Sequence, residues 1–291
     1  DVGIVCPFEE GKINVMGPGS ISFYEFDKGV ILNPRGRTSL ENLYFESFDL
    51  GEFGISSREL DISGCDIQLS SGFDISQSVG IYANDCLMLN SYVLSNSFYL
   101  GTKIAQFTLI DSFFEVNGTN TGIYANWLKT LGHVKDNKYT TKISATGYAF
   151  GITTIDAMEL SNTEIEAVST SDMTGHALIT VDSEIIANNC DIKAYSNVGQ
   201  AIHGHYIEFT NCNVEAICEE GIGILTSIRG AQPTSREYEP VLVLNNCNVH
   251  AKASDVAIYG FGHFEERRCN NVPKYLEEML SEELQLWIWS L

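Results

Sequence analysis

The carboxylates Glu164, Asp191, Glu166 and Glu215 are the first candidates for chemistry in this sequence. Glycoside hydrolysis needs two carboxyl groups at a set separation, about 5 Å for retention and about 6.5–9.5 Å for inversion. Sugar binding needs flat aromatic faces with polar neighbours. Tyr82, Tyr124, His203 and Tyr259 recur with that character, and Thr153 stands between them. A third set is cationic. "WLKTLGHVKDNKYTTK" (127–142) carries Lys135, Lys138 and His133, and "TSIRGAQPTSREYEP" (226–240) carries Arg229, Arg236 and Tyr238. Such groups could clamp the carboxylate of an acidic sugar, or act as the base in a β-elimination. Each set works only if the fold brings its members together.

The elements that would position them form a repeat. "LDISGCDIQL" (60–69), "MELSNTEIEA" (158–167), "IIANNCDIKA" (185–194), "IEFTNCNVEA" (207–216) and "LVLNNCNVHA" (242–251) share one pattern: two alternating apolar positions, Asn (Gly64 in the first) then a small residue, two more alternating apolar positions. That is period-2 strand patterning with one extra residue at the Asn. A short second element follows each unit: "GIYA" (80–83 and 122–125), "GITT" (151–154), "AIHG" (201–204), "GIGI" (221–224) and "AIYG" (257–260). Units of about 21–29 residues match one coil of a parallel β-helix.

Stacking the coils about 4.8 Å apart aligns like positions into columns. The bend between the two strand segments calls for a left-handed backbone, which Asn tolerates better than most residues. Asn162, Asn189, Asn211 and Asn246 should therefore share a corner and pass side-chain hydrogen bonds between coils, with Asp111 and Gly64 in the same column. The next column holds Cys65, Ser91, Ser112, Thr141, Thr163, Cys190, Cys212 and Cys247. Eight cysteines in a secreted chain could pair, but this placement favours free, buried thiols. Neither CxxC, zinc-like histidine spacing nor an EF-hand-like calcium loop occurs, so no metal and no cofactor is expected.

Among outward positions, Asp66, Glu164 and Asp191 fall in one column. Glu115, Glu166 and Glu215 fall in another, with Lys193 and His250. Glu164 and Asp191 would lie near the retaining separation, and Glu166 and Glu215 near the inverting one. Lys193 between the latter pair makes a surface charge ladder the simpler account. The stretch "LENLYFESFDL" (40–50) differs by one letter from a protease-cleavage linker, yet Leu43, Phe45 and Leu50 follow the spacing of Leu60, Ile62 and Ile67, and Gly54 and Ile55 supply the "GI" element. It is read as a coil.

Over roughly 40–262 the units resemble right-handed parallel β-helix proteins of the pectin-lyase-like kind, in particular repeat proteins with "GIYA" and LxIxNCxIxA units. The resemblance implies the fold; this fold hosts unrelated activities. Polygalacturonase-like relatives carry Asn-Thr-Asp, Asp-Asp, Gly-His-Gly and Arg-Ile-Lys motifs. Here "NTE" (162–164), "HGH" (203–205) and "SIRG" (227–230) are only echoes, and there is no Asp-Asp pair. The calcium-binding acid cluster of pectate-lyase-like members is not evident either.

The expected architecture is an all-β, single-domain, right-handed single-stranded parallel β-helix of about nine or ten coils. Residues 1–39 form irregular first coils or an N-terminal cap, 40–269 the coils, and 270–291 a C-terminal capping helix, since solenoid ends need covering. With 17 basic against 38 acidic residues and a formal charge of −21, nucleic acid and anionic membrane are poor partners. No apolar run is long enough for membrane insertion. A chain starting at Asp1 rather than Met is expected to be processed or trimmed, leaving room for an export signal in the missing segment. The leading reading is a secreted or cell-surface solenoid that binds carbohydrate or another surface partner without catalysis, through Tyr82, Tyr124, His203, Tyr259, Lys135, Lys138 and Tyr238. The alternatives are a polysaccharide lyase or glycoside hydrolase, with Glu164, Asp191, Arg229 and Arg236 as catalytic candidates, and a purely structural spacer. The residues set no oligomeric state.

Overall fold

The computed structural model describes residues 2–5, 11–25, 29–72, 77–181, 183–227, 241–260, 263–273 and 275–276. They form a parallel β-solenoid of about 10 turns, and no helix occurs among them. Three parallel sheets run its length. Sheet 1 carries the strand before the corner residue, with rungs from 12–16 through 59–63, 85–89, 106–110 and 127–131 to 263–267. Sheet 2 carries the strand after the corner, from 19–24 through 113–117 and 191–196 to 248–253. Sheet 3 carries the "GI" elements, from Val2–Val5 to Tyr275–Leu276.

The interior follows from the period-2 pattern. Phe45, Ile67, Val93, Phe114, Ile143, Ile165, Ile192, Val214 and Val249 form one inward column of sheet 2, each at most 2% exposed. Ile31, Ile55, Ile81, Thr102, Ile123, Ile152, Leu178, Ile202, Ile224 and Ile258 form the inward column of sheet 3. Stacking like on like buries a continuous core that no single coil could build alone.

The corner between sheets 1 and 2 is left-handed, as its residues required. Asn42, Gly64, Asn90, Asp111, Asn162, Asn189, Asn211 and Asn246 have φ between 45° and 61°. Asn189 donates to Asn162, and Asn246 to Asn211, each at 2.7 Å. A second amide ladder runs beside the first: Asn213 donates to Asp191 at 3.0 Å, Asn248 to Asn213 and Asn271 to Asn248 at 2.7 Å.

Residues 40–50 are a coil, with Leu40, Leu43, Phe45 and Leu50 buried. Its register differs from the expected one. Leu40, not Phe45, aligns with Ile62, Asn42 is the corner, and Phe45 aligns with Ile67 beyond it. The shift arises because the corner amide comes before Leu43, so Leu43 and Phe45 belong to sheet 2. The first coils pair along Lys12–Tyr24 and Gly29–Leu50, with one register shift between Met16 and Gly19. At the other end, Asn270 bridges Asn248, and Tyr275–Leu276 is a strand beside Ile258 and Tyr259 rather than the first turns of a helix. Solenoid pairing continues there because the edge of Val256–Gly260 still offers backbone partners. The rest of the expected helix, 277–291, lies outside the described residues.

One excursion leaves the repeat. Val134–Lys135 and Lys138–Tyr139 form an antiparallel hairpin. Asp111, the corner residue one coil earlier, holds it by accepting hydrogen bonds from Thr140 (2.5 Å) and from His133 Nδ1 (2.9 Å). Those two contacts, Thr140 before His133, keep the Asp111 carboxyl below its ordinary range.

Candidate functional site

The acid columns are where their spacing put them, and most of their members are internally engaged. Glu164 is one rung from Asp191, but Lys142 on the preceding rung forms an ion pair with Glu164 and Asn213 donates to Asp191. Glu166, Lys193 and Glu215 occupy successive rungs, and Tyr195 donates to Glu215 at 2.8 Å. Arg229, Arg236 and Tyr238 lie outside the described residues. Lys135 and Lys138 are exposed on the excursion hairpin.

The tyrosine partners of these carboxylates carry a testable consequence. Tyr92 donates to Glu115, Tyr195 to Glu215 and Tyr206 to Glu208. Each phenol is pushed up to about 12, by burial first for Tyr92 and Tyr195 and by the Glu208 hydrogen bond first for Tyr206. A folded-state value above the ordinary one of about 10 favours the neutral phenol. The stability it contributes is complete below pH about 10 and is lost as pH rises through about 12. Phenolate absorbance should therefore show a late-titrating group of tyrosines in the native protein that is missing in urea. Tyr195→Phe should shrink that group; an unchanged titration would contradict this assignment.

Tyr82, Tyr124, Thr153, His203 and Tyr259 do share one outward column of sheet 3. Its members in order are Tyr82, Lys103, Tyr124, Thr153, Ile179, His203, Leu225 and Tyr259. The aromatic residues are thus never on adjacent rungs: Lys103, then Thr153 and Ile179, then Leu225 separate them. Tyr82 and Tyr124 are half-buried, and the Lys103 ammonium sits 6.0 Å from the Tyr82 ring centre. His203 and Tyr259 are only 7% and 3% exposed. His203 Nε2 is 2.8 Å from Ser227 Oγ, and the His176 ring packs between Phe150 and His203. The C-terminal half of this column is closed to a ligand in this conformation, and Tyr82 and Tyr124 remain accessible.

Geometry singles out another face. Asp85, Gln106 and Trp127 occupy one outward column of sheet 1 on consecutive rungs, with Leu87, Thr108 and Lys129 two residues further along each strand. An open groove of about 380 Å³ runs over this face, lined by Arg37, Glu59, Asp61, Asp85, Gln106 and Thr108 among others. A recess of about 150 Å³ extends it to Trp127 and Lys129. At the groove's ends the charges are paired: Arg37 with Asp61, Arg58 with Glu59, and Lys129 with Glu159. Between them, the Asp85 carboxylate and Gln106 amide are exposed and have no partner among the described residues, and Trp127 is 38% exposed. Burying a sugar ring against Trp127 would gain apolar contact, while Asp85, Gln106 and Thr108 could hydrogen-bond its hydroxyls.

Sequence reasoning missed this face because its motif is not local. The clue was present: Asp85, Gln106 and Trp127 recur at intervals of 21 residues, as do Leu87, Thr108 and Lys129. These middle coils carry no corner Asn-Cys pair, so the motif that revealed the other coils passed over them. No group of three or more His, Cys, Asp or Glu side chains among the described residues could hold a metal ion. No protein-family model, no curated protein and no solved structure matches this chain.

Proposed function

We propose that the chain is a non-catalytic carbohydrate-binding solenoid, set in an extracellular or cell-surface location, and that it holds a glycan strand across the outward face of sheet 1. The observation that carries this reading is the contrast between faces. On sheet 2 the outward carboxylates Glu115, Glu164, Asp191 and Glu215 are consumed by Lys142, Asn213 and tyrosines, with Glu166 left exposed among them, whereas the sheet 1 groove sets Asp85 and Gln106, which have no partner among the described residues, beside a half-open indole. A solenoid repeats its hydrogen-bonding groups every rung of about 4.8 Å; an extended glycan likewise offers hydroxyls at regular intervals. Acid–base cleavage would need two free carboxyl groups facing one bond, and here Glu59 and Asp61 are committed to arginines.

Immobilised plant, host and microbial polysaccharides tested for retention of the protein, with soluble products followed in parallel, would examine both halves of the proposal. Retention without new reducing ends or unsaturated uronides is expected. Trp127→Ala should weaken it by about tenfold or more, since stacked aromatics dominate such contacts. Asp85→Asn with Gln106→Ala should also weaken it. Retention lost instead in Tyr82→Ala/Tyr124→Ala would move the site to sheet 3, and product release would make the chain an enzyme.

A further inference from the structure

Cys190, Cys212, Cys247 and Cys269 occupy one column on four successive coils, immediately after the corner residue. Three of them are at most 3% exposed, and Cys269 at the end of the row is half-buried. All are free thiols. Their rotamers are fixed alike, because each sulfur is within 3.4 Å of the carbonyl two residues earlier: Asn188, Thr210, Asn245 and Arg267 in turn. Ser91, Ser112 and Thr163 make the same bond with hydroxyls in other coils. Identical rotamers on in-register strands stack the sulfurs at the rung spacing of about 4.8 Å or slightly closer, with Cys212 between Cys190 and Cys247.

That spacing has a chemical meaning. A metal–thiolate bond is about 2.3 Å long, so a linear thiolate–metal–thiolate unit spans about twice that, close to one rung. Any gap in the column has two sulfurs and no third donor, in keeping with the absence of any three-residue metal group among the described residues. Tetrahedral zinc is therefore poorly served. A soft, univalent, closed-shell ion that accepts two collinear thiolates is well served.

We propose that this thiol ladder binds copper(I), each ion held two-coordinate between cysteines of adjacent coils. In the binding step the two thiols release two protons and form two metal–sulfur bonds, giving a bis-thiolate complex of charge −1 with no change of oxidation state. The buried negative charge meets backbone N–H groups. The Cys247 N–H points at Cys269 Sγ from 3.3 Å, and the equivalent N–H groups of Cys65 and Ser91 point at the hydroxyls one coil on. Hydrogen bonds to the sulfurs stabilise thiolate–metal sites. Cys269, half-buried at the end of the row, gives the ion a way in.

Reduced full-length protein, kept free of air, would be titrated with copper(I) against a coloured copper(I) chelator. The wild-type chain should withdraw up to two ions, one in the Cys190–Cys212 gap and one in the Cys247–Cys269 gap. Cys212→Ser/Cys247→Ser leaves no two cysteines of this column on adjacent coils and should bind at least about tenfold more weakly. It should still fold, because serine already makes the corner bond at Ser91 and Ser112, and circular dichroism would verify this. Cys65→Ser/Cys86→Ser/Cys218→Ser, away from the ladder, should leave the titration unchanged. Failure of the wild-type chain to compete, or equal withdrawal by the Cys212/Cys247 variant, would overturn the proposal.

Discussion

Phe114→Ala is expected to lower the unfolding free energy by about 3–5 kcal/mol. Phe114 is fully buried at an inward position of sheet 2, and its ring meets the fully buried Phe107 of sheet 1 edge-on, with centroids 5.2 Å apart and planes at 83°. The two rings bridge the interior between sheets. Deleting one removes its transfer free energy and its aromatic contact, and leaves a cavity that rigid, in-register strands cannot collapse to fill. Because each coil touches mainly its neighbours, the loss should be local at first. Hydrogen exchange should accelerate in 92–131 while 191–225 stays protected. Phe114→Leu, which keeps most of the volume, should cost less than about 1.5 kcal/mol. A urea midpoint for Phe114→Ala within about 1 kcal/mol of wild type would mean that the interior repacks freely, contrary to the close fit described above.

The fold was legible in the sequence where a local constraint repeats. A left-handed corner admits few residue types, so Asn162, Asn189, Asn211 and Asn246 stood out without any knowledge of their neighbours, and the columns at Glu164 and Asp191 followed from them. The register of 40–50 was misjudged because Leu43 and Phe45 mimic an ordinary apolar pair and only Asn42 marks the corner. The candidate site was illegible for the opposite reason. Asp85, Gln106 and Trp127 have no common residue type and obey no local rule; they become a site only when three rungs are laid side by side. The burial of His203 and Tyr259 also escaped notice, since outward position in a strand does not determine exposure.

The corner itself gives the second large effect. Asn211 has φ 54° and its side-chain oxygen accepts a hydrogen bond from Asn246 at 2.7 Å. Asn211→Val should cost about 2–4 kcal/mol, combining a left-handed penalty of about 1–2 kcal/mol, made worse by β-branching, with a hydrogen bond worth about 1 kcal/mol. Asn211→Gly separates the two contributions. Glycine adopts this conformation freely and already serves at Gly64, with φ 61°, so only the ladder bond is lost and the cost should stay near 1 kcal/mol. The hydrogen bond is part of a chain only in pairs, 162 with 189 and 211 with 246, so Asn211→Gly should leave exchange protection around Asn189 untouched. Equal destabilisation by valine and glycine would show that the amide contact, and not the backbone conformation, selects asparagine here. A glycine variant as stable as wild type would show the reverse: the column exists to turn the chain, and the hydrogen bonds between coils follow from that geometry.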